Sequence, residues 1–128
     1  MKVLVSAAMA LAAAAIAFAC IFPGALINRL YNSVGSDLND ALELALDENN
    51  PLAYERVFNV NRKLESRKNL LMIFYDHSDV IELTGSAEAA LELAKTKDTA
   101  QLIVELRDIE KAFEVLIHTN DASIYNVF

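Results

Sequence analysis

The chain holds two histidines, and one of them stands in its densest polar group, Asp76, His77, Asp79 and Glu82. Carboxylates beside an imidazole are the donor set of a hard or borderline metal ion. The spacing works against a built site. Asp79 and Glu82 share a face only where a helix has already begun, and no His-Glu-x-x-His pair is present. Acidic residues suit the positive end of a helix dipole, and a histidine at the corner packs or caps. The group is therefore read as structural. His77, Asp79 and Glu82 are kept as the candidates of an alternative reading, an extracytoplasmic small-ligand or metal-binding module. His118 is placed near the end of a helix, where a cation suits the dipole.

Other catalytic arrangements are not supported. No Ser-His-Asp grouping emerges, and with glycines only at positions 24, 35 and 85 there is no phosphate-cradling loop. Glu43 and Asp47 lie four apart on an acidic, solvated face. The expectation is a non-enzymatic protein with no cofactor. Two features point to partners instead. Arg62, Lys63, Arg67 and Lys68 form one basic patch, read first as ion-pair partners for nearby carboxylates and otherwise as a docking face for an acidic partner. The ending Ser123 to Phe128 is apolar, aromatic and uncharged, unlike a disordered tail. Ile124, Tyr125, Val127 and Phe128 are expected to pack back on the body or to dock on another protein.

These groups are carried by a chain that begins with a membrane address. Val3 to Phe22 passes without a charge, between Lys2 and Pro23-Gly24. Twenty helical residues rise about 30 Å, the hydrocarbon thickness of a bilayer. The Val, Leu, Ile and Phe residues of the run favour insertion by about 2 to 5 kcal/mol, while its many alanines add little. Residues 1–23 are read as an uncleaved single-pass anchor, with residues 3–22 in the membrane. Two alternatives stay open. Ala17-Phe18-Ala19 has the small-x-small form of a signal-peptidase site, which would release a secreted body. Cys20 after Ala19 would be the acylated residue of a lipoprotein. Lys2 keeps the amino terminus in the cytoplasm and places the body, residues 24–128, outside it.

The net charge is −7, and Lys2 is the single charge before residue 23, so the body carries −8. That balance argues against nucleic acid as a partner and against a body lying on anionic lipid through a basic surface. The single cysteine allows no intrachain disulfide and no cysteine-based zinc site. Three glycines and two prolines among plentiful Ala, Leu and Glu make a helical composition.

Periodicity predicts four helical stretches. Ile27, Tyr31, Val34, Leu38, Leu42 and Ala45 mark the first, with Gly35-Ser36 as a point of interruption; one long helix from Gly24 and a fresh start at Asp37 are both open. Ala53, Val57, Val60, Leu64, Leu71 and Tyr75 mark the second, with Asn50 as cap and Pro51 as first helical residue. Ile81, Thr84, Ala87, Leu91 and Ala94 mark the third, capped by Ser78. Leu102, Leu106, Ile109, Phe113 and Leu116 mark the fourth, which opens on the capping box Asp98-x-x-Gln101 and ends near His118. The segment Ala41 to Ala45, Ala-Leu-Glu-Leu-Ala, recurs 49 residues later at Ala90 to Ala94. At that offset Val57 meets Leu106, Val60 meets Ile109 and Leu64 meets Phe113. A duplicated helical hairpin explains this; chance phasing of similar amphipathic helices is the alternative. The expected architecture is all-α: a transmembrane helix followed by an up-down four-helix bundle, with hairpins at about 24–76 and 78–118 and a tail at 119–128. His77, His118, the tail and the tether then share one end, and the turns near Pro51 and Asp98 the other.

The corner Tyr75-Asp76-His77-Ser78-Asp79-Val80-Ile81, the turn Lys95-Thr96-Lys97-Asp98 and the ending Asn126-Val127-Phe128 carry a family resemblance, best over Phe74 to Phe128. The chain resembles a domain-of-unknown-function family of short proteins from clostridia-like Gram-positive bacteria, with one N-terminal membrane segment and a helical body ending in Asn-Ile/Val-Phe. Ser78-Asp79 and the alanine-rich anchor depart from its usual pattern. The resemblance implies an anchored helical domain and no activity. The function expected is protein-protein interaction or assembly at the cell envelope, with an unknown protein partner or through self-association.

Overall fold

The computed structural model describes the backbone of residues 1–127 and the side chains of residues 1–119. Four helices follow one another, and the described residues contain no strand: α1 (Lys2–Leu46), α2 (Asn50–Phe74), α3 (His77–Thr96) and α4 (Thr99–Val127). Each packs antiparallel on its neighbour in the chain, and α1 against α4 closes the ring. The apolar run and the first bundle helix are a single element of 45 residues, about 67 Å long. Its N-terminal part is long and apolar enough to cross a membrane, and the bundle covers none of that stretch. Pro23 and Gly24 are the first buried residues.

Gly35-Ser36 does not interrupt α1. A mid-helix glycine costs about 1 kcal/mol against alanine. Burial of Val34 and Leu38 on the adjoining turns outweighs it, since each such buried side chain contributes about 1.5–3 kcal/mol. No neighbour occupies the space that a Cβ at Gly35 would take.

The 49-residue offset is visible in the backbone. Glu48 (φ 58°) and Lys97 (φ 61°), 49 apart, are the non-glycine residues with positive φ among the described residues. Each follows a helix and closes it in the same way: Asn49 N–H donates to the Leu44 carbonyl at 2.8 Å, and Asp98 N–H to the Leu93 carbonyl at 3.3 Å, the long bond of a Schellman turn. The core repeats too. Val34 and Leu83, Leu38 and Ala87, Ala41 and Ala90, Ala45 and Ala94 are buried as pairs at this offset, and so are Ala53 and Leu102, Val57 and Leu106, Val60 and Ile109, Leu64 and Phe113. Matching turn geometry and matching core positions favour duplication over chance phasing. At the far end the two turns meet, with Thr99 Oγ1 at 3.5 Å from Asn50 Oδ1. Because glycine occupies the left-handed region without a Cβ penalty, Lys97→Gly is expected to raise stability by about 0.5–1 kcal/mol, read from thermal melts followed by circular dichroism.

Several local expectations are corrected. The helix start after the corner is capped by Asp76, not Ser78: Asp76 Oδ1 accepts from Ser78 N at 3.0 Å and Ser78 Oγ at 2.9 Å, and the extended Tyr75 (φ −123°, ψ 161°) delivers the chain to that cap. The cap of α2 is Asn49, one residue earlier than expected; the Asn50 side chain is turned to Thr99 instead. Only half of the Asp98 capping box forms, with Gln101 N–H donating to Asp98 Oδ1 at 3.3 Å, because Asp98 N–H is already bonded to Leu93. In α3 the core face is Val80, Leu83, Thr84, Ala87, Ala90 and Ala94, while Ile81 is 54% exposed and Leu91 only half-buried. Its small alanines, not its largest side chains, mark where neighbouring helices approach. Finally, α4 does not end near His118. It continues to Val127, and no glycine or proline in residues 119–127 stops it.

Candidate functional site

The end of the bundle where α1 emerges is built from aromatic residues. Phe18 stacks on Phe22 (centroids 4.8 Å), and Phe22 meets Phe74 of α2 edge-on at 5.4 Å. Pro23 lacks an N–H, so the carbonyl one turn before it loses its helical donor. Four residues beyond that carbonyl, the buried hydroxyl of Tyr75, the residue that closes α2, donates to the Pro23 carbonyl at 3.0 Å. The end of the apolar run is thereby tied to the end of α2.

Above this junction lies a charge that sequence reasoning missed. Asp37 is 7% exposed on the inner side of α1. Lys63 Nζ reaches its Oδ2 at 2.7 Å and also donates to the Ser33 carbonyl at 2.9 Å; Arg56 lies 3.4 Å from Oδ1 and 3.8 Å from Asp40. A buried carboxylate needs such partners. The signal was available, because position 37 falls in register between the buried Val34 and Ala41.

The basic patch does not act as one surface, since successive helical residues turn by about 100°. Lys63 and Arg67 lie on the α1 side of α2, where both line a groove of about 520 Å³ with Arg29. Arg62 points outward, and Lys68 falls on the opposite flank from Lys63. Among the described residues only Lys63 of this patch forms an ion pair.

The corner holds together locally. Asp76 caps α3, and His77 Nε2 lies 3.1 Å from the Met72 carbonyl. No group of three His, Cys, Asp or Glu side chains is placed to hold a metal ion among the described residues, so His77, Asp79 and Glu82 are not gathered. His118 is exposed and, with α4 continuing beyond it, is not in a last helical turn. Glu43 and Asp47 are exposed. Ile124, Tyr125, Val127 and Phe128 lie outside the residues whose side chains are described.

Two carboxyls are shifted in opposite directions. The backbone N–H and then the hydroxyl of Ser78 hold Asp76 below the ordinary carboxylate range. Its capping contribution is thus present at neutral pH and is lost as pH falls through that lowered value. Burial, then the neighbouring Asp108, pushes Glu105 up. Its ionised form opposes folding, and that opposition fades as pH falls through the raised value. Glu105→Gln is therefore expected to raise the melting temperature at pH 7 and to make no difference below about pH 4, where the glutamate is protonated in both states. Melting curves of the two proteins across pH 3–8 check this.

Comparison with protein-family models, with curated proteins and with solved structures finds no match to this chain.

Proposed function

We propose that this protein is a membrane-tethered, non-enzymatic helical domain that mediates protein-protein interaction or assembly at the cell envelope. In this reading residues 3–22 cross the membrane once, the body lies on the extracytoplasmic side, and the chain belongs with the short anchored proteins it resembles. The observation that carries it is the outward row of α2. Phe58 is 47% and Ile73 72% exposed there, with Arg62 on the same row between them. Exposed aromatic and aliphatic side chains flanking an arginine have the composition of a binding surface. An unbroken α1, tied to α2 by Tyr75, holds that row upright on its anchor.

The test is site-specific photo-crosslinking in intact membranes, with the reactive group at position 58 and, as control, at the exposed Glu88 of α3. A discrete adduct from position 58 and none from 88 is the expected result. No adduct from either position, together with a monomeric mass in mild detergent, overturns the interaction reading. The mass of the mature amino terminus distinguishes the anchor from cleavage after Ala19 and from acylation of Cys20.

A further inference from the structure

The two hairpins differ most in chemistry on the face between α1 and α2. Carried forward by 49 residues, Lys63 and Arg67 fall on Ala112 and Leu116, both core residues of the second hairpin. The first hairpin has cations at these two places, beside a groove of about 520 Å³. Lys63 is committed to Asp37 and the Ser33 carbonyl. Arg67 and Arg29 line the groove, are exposed, and have no ion-pair partner among the described residues. The register that sets Lys63 against Ser33 and Phe74 against Phe22 puts Arg67 level with Arg29. Two guanidinium groups on one groove repel unless an anion lies between them. Composition does not force this, because the chain has 18 carboxylates to 11 cations.

We infer that the groove binds the phosphate of an anionic phospholipid headgroup between Arg29 and Arg67, whose planar forks suit phosphate oxygens. Three features favour a lipid over a free phosphate or an acidic peptide. The lower wall is apolar, formed by Leu26, Leu70 and Phe22, and Phe22 is the last residue of the apolar run. Arg29 lies seven residues beyond it, about 10 Å along the axis. Side chains on α1 lean toward its amino terminus, and so toward the membrane, which brings a long arginine back to headgroup level. The inference rests on the reading that residues 3–22 cross a membrane.

The experiment uses the full chain in a neutral detergent, titrated with a short-chain phosphatidylglycerol, with phosphatidylcholine of the same chain length, and with inorganic phosphate. Phosphatidylglycerol is expected to raise the melting temperature saturably by about 3 °C or more, and the other two to leave it unchanged. R29Q and R67Q singly are expected to weaken the shift and together to abolish it, while R62Q/K68Q, outside the groove, keeps it. An equal shift from phosphatidylcholine, or a full shift in R29Q/R67Q, overturns the inference. A matching shift from inorganic phosphate overturns the lipid assignment in favour of a free anion. Flotation with phosphatidylcholine vesicles separates the two readings. A chain that floats but shows no phosphatidylglycerol-dependent shift overturns the lipid site alone; a chain that does not float overturns the membrane span and the lipid site with it.

Discussion

Phe113→Ala is expected to cost the bundle about 3–5 kcal/mol, a large part of the 5–15 kcal/mol that a domain of this size commands. Phe113 is fully buried, among the largest side chains in the core, and its ring meets Tyr31 of α1 edge-on at 5.3 Å. It therefore supports the contact that closes the ring, where α4 returns to α1 without a connecting turn. Truncation removes the transfer energy of the ring and leaves a cavity that four helices joined by short turns cannot collapse around. Thermal unfolding followed by circular dichroism should fall by more than about 10 °C. Phe113→Leu, which restores the residue type of the repeat-equivalent Leu64, should recover most of the loss. Phe58→Ala, at a half-exposed aromatic on α2, should stay within about 1 kcal/mol of the parent. A comparable cost at both positions would mean that Phe113 is not the keystone of the α1–α4 contact.

Removing residues 3–22 is expected to move the protein from the membrane fraction to the soluble fraction while leaving the bundle folded. The deleted stretch carries the favourable insertion energy of about 2–5 kcal/mol and supplies none of the buried core, which begins at Pro23. Ultracentrifugation of lysates gives the partition, and the α-helical dichroism and melting temperature of the shortened chain give the fold. The local loss should be confined to Phe22, with its contact to Phe74 and its place in the groove wall. Retention in the membrane fraction after deletion would mean that the bundle itself holds a membrane-binding surface. A shortened chain without cooperative unfolding would mean that α1 depends on its apolar half to form.

The inner faces of α2 and α4 were legible from period alone. Every position expected on them, from Ala53 to Tyr75 and from Leu102 to Leu116, is buried. Their faces are lined by large aliphatic residues at steps of three and four, and hydrophobicity reports such a face directly. In α3 the same reasoning slipped, because alanines form the face in contact and Ile81 points outward. In α1, Tyr31 is 37% exposed but still packs on Phe113, while Leu30 and Ala41 are buried. The 49-residue repeat was legible in the pentapeptide and in core pairs such as Val57 and Leu106; the paired left-handed residues Glu48 and Lys97 are visible only in the backbone. The candidate site was the least legible part. Asp37 carries only the signal of its register between Val34 and Ala41, and its partners appear when α2 brings Lys63 and Arg56 against it. Arg29 and Arg67, 38 residues apart, share a groove only through the antiparallel register of two helices.

The unbroken course of α1 gives the molecule one angular coordinate instead of two. If residues 3–22 span a bilayer as proposed, the azimuth of that segment fixes the compass direction in which Phe58, Arg62 and Ile73 face, because α1 runs as one helix into the bundle. Each residue added or removed between Phe22 and Ile27 would swing that bearing by about 100° and shift its height by about 1.5 Å. Tyr75 would then lose its place at Pro23. On the proposed anchoring, α1 would work as a keyed shaft as well as a tether, and any neighbour that fixed its rotation would also aim the bundle above.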